Sequence, residues 1–118
     1  MYFRIAFFAA LLAGTAPVHA QDASYAQTDA ELNRLFQKIE SRLAQNHDGK
    51  QKLITAQRAW IAFRDDECKF AASGVEGGTV YKDVLEACMQ DMAKARIANF
   101  NTYLKCEEGD MGCPVPAK

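Results

Sequence analysis

The 118-residue sequence lacks the features that several common functional classes require. It contains only two histidines, and its four cysteines include no C-x-x-C pair. With no such pair, and no histidine near the cysteines, the sequence predicts neither a zinc site nor a redox centre. The formal net charge is −1, so the basic surplus typical of nucleic-acid-binding proteins is also missing. We therefore expect a protein without a metal, cofactor or nucleic-acid partner.

Long apolar runs are also scarce. The longest covers residues 5–13 (IAFFAALLA), follows Arg4 and ends near Gly14 and Pro17. It is too short to span a bilayer, which needs roughly 20 apolar residues. Together with the small residues at Val18 and Ala20, it predicts a secretory signal peptide over residues 1–20, cleaved after Ala20. No cysteine lies at the cut, so the pattern does not favour a lipid anchor.

Cleavage there would leave residues 21–118 as one small domain with a formal net charge of −2, because Arg4 is lost. Residues 21–28 are predicted to be a flexible N-terminus. We expect this protein in the periplasm or outside the cell, with no membrane span after cleavage.

Helical periodicity dominates the rest of the chain. A capping box from Thr28 to Glu31 predicts the first helix over residues 29–45. The second helix is predicted over residues 50–73, with Gly74 as its C′ residue, and the third over residues 81–104. Residues 105–118 form an irregular tail. The predicted fold is all-α, a three-helix antiparallel bundle over residues 29–104.

The four cysteines predict two disulfides, because an exported chain meets an oxidising compartment. Four cysteines allow three pairings. Antiparallel packing of the second and third helices brings Cys68 level with Cys88, at about 1.5 Å of rise per residue. We therefore expect Cys68 to pair with Cys88, and Cys106 with Cys113 in the tail.

The second helix has a broad apolar face with polar residues inside it. The predicted apolar positions are Leu53, Ile54, Ala56, Trp60, Ile61, Phe63, Cys68, Phe70 and Ala71. The candidate polar network comprises Gln57, Arg64 and Glu67 around Trp60, with Arg96 and Asn99 from the third helix. A buried arginine needs partners, and Arg64 and Glu67 are spaced to pair. This network either fixes the register of the helices or forms a site for a ligand or a partner protein.

Catalysis is not predicted. The only histidine after residue 20 is His47, which falls in a predicted turn. Glu67 beside Arg64 should have a lowered pKa, whereas a general acid needs a raised one. No nucleophile with a positioned base is apparent. We expect a binding protein rather than an enzyme.

The second helix also carries a motif. Ala56-Gln57-Arg58-Ala59-Trp60, followed by Phe63-Arg64-Asp65 and Cys68, resembles the signature of the LprI-like lysozyme-inhibitor family. Leu32-Asn33 with Phe36, Leu85 with Cys88, and Arg96 with Phe100 extend the resemblance over about residues 29–104. The resemblance implies an exported helical domain with a Cys68–Cys88 bridge and a function in lysozyme inhibition. The segment from Cys106 to Cys113 departs from the family pattern.

Two functional hypotheses follow. In the first, the protein is a monomeric inhibitor of a lysozyme-type muramidase, an enzyme that cleaves between two carboxylates. Its candidate acidic contact surface comprises Asp65, Asp66, Glu107, Glu108 and Asp110. In the second, it is an envelope accessory or structural module that binds another protein or a small ligand at the polar network.

Overall fold

The computed structural model describes residues 23–117. Within this range the chain forms three α-helices and no strand: α1 (Tyr25–Arg42), α2 (His47–Ala72) and α3 (Tyr81–Leu104), with a 3₁₀ turn at Ser73–Val75. The predicted all-α class and three-helix bundle are confirmed. The predicted signal peptide lies outside the described residues. No helix in the described part of the chain is long and apolar enough to cross a membrane.

The first helix begins four residues earlier than predicted. Ser24 is its N-cap, accepting a hydrogen bond from the backbone N–H of Gln27, whose side chain accepts one from the N–H of Ser24. This capping box lies one turn before the predicted one, and Thr28 is buried inside the helix. Residues 25–28, predicted to be flexible, are therefore helical.

The second helix also begins earlier than predicted. The side chain of Asn46 accepts a hydrogen bond from the backbone N–H of Gly49 at 2.9 Å and caps a helix that includes His47. His47 therefore lies in the first turn of α2 rather than in a loop. The bounds of α3 agree with the prediction.

Helix α3 is the centre of the bundle because it packs against both α1 and α2. The core contains Leu32, Leu35 and Ile39 of α1, and Ala93 and Phe100 of α3. Consecutive helices run antiparallel, so α1 and α3 run in the same direction. At their C-terminal ends, Nη1 of Arg42 donates a hydrogen bond to the carbonyl oxygen of Leu104 at 2.9 Å.

Helix α2 buries a narrower stripe than the sequence predicts. The buried residues are Gln57, Cys68 and Ala72, with Trp60 and Leu53 partly buried on the same line. Five predicted apolar-face residues are instead exposed: Ala56, Ile61, Phe63 (58% exposed), Phe70 (75% exposed) and Ala71. A helix that packs mainly on one neighbour buries a narrow stripe, and the predicted face was too wide.

Both predicted cysteine pairs lie at disulfide distance. The Cα atoms of Cys68 and Cys88 are 5.5 Å apart, and those of Cys106 and Cys113 are 5.8 Å apart. The first bridge joins α2 to α3 near the loop that connects them. In that loop the left-handed backbone is at Gly77 (φ 77°), whereas Gly74, the predicted C′ residue, lies in the 3₁₀ turn.

The C-terminal segment is not a free tail. The Cys106–Cys113 bridge turns the chain back towards the helices, and Val115 is 3% exposed as part of the core. This segment therefore closes one end of the bundle.

Candidate functional site

The most polar part of the helix interface is an arginine–aromatic cluster. It consists of Tyr25, Gln57, Trp60, Arg64, Arg96 and Phe100. Successive inward positions of α2 place Gln57, Trp60 and Arg64 on one line, because they are three and four residues apart. The central helix supplies Arg96 and Phe100, and the first turn of α1 supplies Tyr25.

Arg64 connects the α2 part of this cluster to α1. Its side chain is 11% exposed, and its Nη2 atom lies 2.8 Å from Oδ1 of Asp65. Its Nη1 atom lies 3.6 Å from Oδ1 of Asp29 on α1. The guanidinium carbon is 5.3 Å from the centre of the Trp60 ring and 6.0 Å from that of Tyr25. Arg64 is thus held by two carboxylates and two aromatic rings.

Arg96 approaches Trp60 from α3. Its guanidinium carbon lies 6.0 Å from the centre of the Trp60 ring and 4.7 Å from that of Phe100. Its Nε atom donates a hydrogen bond to Oε1 of the buried Gln57 side chain at 3.0 Å. Among residues 23–117, no carboxylate lies within ion-pair distance of Arg96. Its charge is instead stabilised by the Gln57 amide and the aromatic faces.

Burial affects the ionisation of two residues in the cluster. It raises the pKa of the Tyr25 hydroxyl above its usual value, and the positive charge of Arg64 offsets part of this rise. Burial also lowers the pKa of the Arg96 guanidinium. Arginine nevertheless remains charged at physiological pH. Trp60 therefore lies between the guanidinium groups of Arg64 and Arg96, and of these two only Arg64 is paired with carboxylates among residues 23–117.

Four of the six predicted network residues lie together: Gln57, Trp60, Arg64 and Arg96. Glu67 does not join them. It is exposed, and the expected Glu67–Arg64 pair is absent, because Asp65 and Asp29 occupy the Arg64 guanidinium instead. Asn99 is also exposed.

Three residues of other elements contribute to the cluster but are not in the predicted network: Tyr25, Asp29 and Phe100. The sequence predicts Tyr25 in a flexible segment and Asp29 at the start of the first helix. The capping box at Ser24 is the signal that would have placed Tyr25 and Asp29 on the same helix. The family resemblance includes Phe100 but the predicted network does not, and the structure buries Phe100 in the core beside Arg96.

The predicted acidic surface is split between two places. Asp65 is partly buried against Arg64, whereas the neighbouring Asp66 side chain is 83% exposed and lies 3.7 Å from Lys69. Glu107, Glu108 and Asp110 are exposed in the loop that the Cys106–Cys113 bridge closes. Oδ1 of Asp110 accepts a hydrogen bond from the backbone N–H of Gly112 at 3.0 Å.

A mostly apolar cavity of about 230 Å³ lies between the helices and the C-terminal segment. Its walls include Ile39, Leu53, Tyr103 and Val115, and Arg96 and Lys52 supply its charged groups. The cavity shares Arg96 with the arginine–aromatic cluster. In the described part of the chain, no group of histidine, cysteine, aspartate or glutamate side chains could hold a metal ion.

Comparison with known proteins agrees with the motif in α2. Residues 15–100 match the family described as "Lysozyme inhibitor LprI". The match covers α1, α2 and most of α3, and it ends before the Cys106–Cys113 segment. An uncharacterised protein of Rhizobium meliloti (strain 1021), R02472, is 26% identical over 98 residues, which is 74% of this chain and 70% of the relative. No solved structure matches the chain significantly. Because the family match spans most of its length, the chain belongs to the LprI family of lysozyme inhibitors.

Proposed function

We propose that this protein is an exported inhibitor of a lysozyme-type muramidase and acts in the periplasm or at the cell envelope. The observation that carries the proposal is the family match over residues 15–100. An inhibitor acts by binding rather than by turnover. The guanidinium, amide and carboxylate groups of the cluster are engaged in hydrogen bonds and ion pairs with one another. Such a cluster suits a protein that binds rather than one that catalyses a reaction.

Two further observations support export. Residues 1–20 have the pattern of a cleaved signal peptide. All four cysteines are placed for disulfides, which persist in oxidising compartments. We propose that the mature protein, residues 21–118, is a monomer that binds one lysozyme molecule.

The test is a titration of oxidised residues 21–118 into lysozymes of several classes, measuring the clearing of peptidoglycan at about 50 and about 300 mM NaCl. We expect stoichiometric inhibition of at least one class, weaker at the higher salt concentration because acidic surface groups contribute to binding. If protein that is helical and disulfide-bonded neither inhibits nor binds any of them at micromolar concentration, the proposal is wrong.

A second candidate function is an envelope accessory module that binds a small ligand or a protein at the polar cluster. The cavity that shares Arg96 with the cluster favours it, because Arg96 has no carboxylate partner among residues 23–117. This function predicts that Arg96→Met abolishes binding while neutralising exposed acids does not. The inhibitor function predicts that neutralising exposed acids weakens binding, whereas Arg96→Met in a folded protein does not.

A further inference from the structure

The far end of the α2–α3 hairpin extends beyond the start of α1. Arg64 of α2 contacts Tyr25 and Asp29 in the first two turns of α1, and the side chain of Gln90 on α3 donates a hydrogen bond to the carbonyl oxygen of Ala23. The start of α1 is therefore level with residues 64 and 90. We call residues 65–89, which lie past that level, the distal hairpin.

Exposed apolar side chains are concentrated at this end of the molecule. The large apolar residues that are exposed in the described chain are Ile61, Phe63, Phe70, Val80, Val84 and Met111. Three of these six lie in the distal hairpin, and Phe63 is two residues before it. Phe63 and Phe70 are the most exposed large apolar residues within the three helices. A group of exposed apolar side chains rimmed by polar residues is typical of a contact surface.

Phe63 and Phe70 share one face of α2. They are seven residues apart, which brings them to nearly the same side of the helix, about 10 Å apart along its axis. Asp66 and Glu67 lie between them on that face, at spacings of three and four residues. The two aromatic rings therefore flank a pair of carboxylates.

The distal hairpin is also the acidic part of the chain. It contains six acidic and two basic residues, a formal charge of −4, whereas the whole chain has a formal charge of −1. Both lysines are engaged within the hairpin, Lys69 with Asp66 at 3.7 Å and Lys82 with Glu86 at 2.6 Å. Glu67, Glu76 and Asp83 make no ion pair with any residue between 23 and 117. This surface is complementary to a basic partner.

The disulfide makes this end of the hairpin rigid. The Cys68–Cys88 bridge ties the two helices together, and Phe70 lies two residues beyond it, about 3 Å along the axis. An anchor held on a rigid element loses little conformational entropy on binding. Aromatic anchors of this kind commonly supply most of the binding free energy of an interface.

We infer that the distal hairpin is the surface that binds the lysozyme, with Phe70 as the main anchor and Phe63 beside it. This inference rests on the proposed function and adds the contact surface to it. Lysozymes cleave between two carboxylates, so acidic side chains would be repelled from the centre of the cleft. A neutral phenylalanine ring enters the cleft without that repulsion. Asp66 and Glu67 then face basic groups on its rim.

The experiment measures inhibition constants and association rates of oxidised residues 21–118 against the lysozyme that the wild type inhibits. The variants are Phe70→Ser, Phe63→Ser and the pair Asp66→Asn with Glu67→Gln. Met111→Ser is the matched control, because Met111 is an exposed apolar residue in the C-terminal loop. Circular dichroism and thermal melting verify that each variant is folded.

We expect Phe70→Ser to weaken inhibition by about 30-fold or more and Phe63→Ser by about 5-fold or more. The charge-neutralised pair should associate more slowly at low salt and lose most of the salt dependence. The control should match the wild type. If the wild type inhibits and both phenylalanine variants inhibit equally well, the inference is wrong and the proposed function stands. If the wild type inhibits no lysozyme, the proposed function itself fails, and this assignment fails with it.

Discussion

The hydrogen bond between Gln57 and Arg96 connects α2 to α3 beside the single tryptophan, and its contribution to stability can be measured. Gln57 is 7% exposed, and its Oε1 atom accepts from Nε of Arg96 at 3.0 Å. A hydrogen bond to a charged group contributes about 1.5–3 kcal/mol. Arg96 is partly exposed, so water replaces part of this bond, and we expect a value of about 1–2 kcal/mol.

A double-mutant cycle isolates this value. Gln57→Leu keeps the volume but removes the acceptor, and should lower the free energy of unfolding by about 1–2 kcal/mol. Arg96→Met also removes two cation–π contacts and should cost about 2–3 kcal/mol. The double variant should be about as stable as Arg96→Met alone, because the bond can be lost only once. The coupling energy would then be about 1–2 kcal/mol.

The assay is equilibrium unfolding of the oxidised protein in urea, followed by circular dichroism and by Trp60 fluorescence. Coincident transitions from the two probes and an unchanged m-value permit the comparison of free energies. Gln57→Leu combined with Met111→Ala is the control pair, because the exposed Met111 lies in the C-terminal loop and should show no coupling. If Gln57→Leu and Arg96→Met are additive within about 0.5 kcal/mol, the hydrogen bond does not stabilise the helix interface.

Three further perturbations test other parts of the structure. Replacing Cys68 and Cys88 together by serine should lower the free energy of unfolding by about 3 kcal/mol, since the bridge spans a sequence separation of 20, and urea unfolding measures this loss. Val115→Ala should cost about 2 kcal/mol because Val115 belongs to the core; a change below about 0.5 kcal/mol would mean that the C-terminal segment does not pack there. Tyr25 has a raised pKa in the folded protein, so the unfolded chain ionises first as the pH rises through about 10, and stability falls in that range. Tyr25→Phe should make this alkaline fall shallower, and equal pH dependence of the two proteins in urea unfolding would contradict the burial of the Tyr25 hydroxyl.

Features that depend on a strong helical periodicity, or on the register of two antiparallel helices, could be predicted from the sequence. Helix α3 has the predicted bounds, and the Cys68–Cys88 pair follows from the antiparallel register of α2 and α3. Gln57 and Arg64 were placed on the inward side of α2 because they lie on the same line as Trp60. These inferences need only the pitch of a helix and the length of a loop.

Other features depend on which neighbour each helix packs against, and the sequence does not specify that. Phe63 and Phe70 are apolar, so the pattern placed them inside; they are exposed because α2 buries only a narrow stripe. Arg64 has several carboxylates within reach. It pairs with Asp65 on its own helix and with Asp29, which the position of α1 brings close, rather than with Glu67. Val115 stands alone in an irregular segment, so no periodic signal could place it in the core.

The central position of α3 has a consequence for the order of folding. The α2–α3 hairpin is local in sequence, whereas the Arg42–Leu104 contact joins residues that are 62 positions apart. Local contacts form first because closing a short loop costs less entropy. The chain is synthesised with α1 first, so the apolar stripe of α1 stays uncovered until α3, its partner, has followed. During that interval the leucines of α1 are accessible to chaperones and to aggregation.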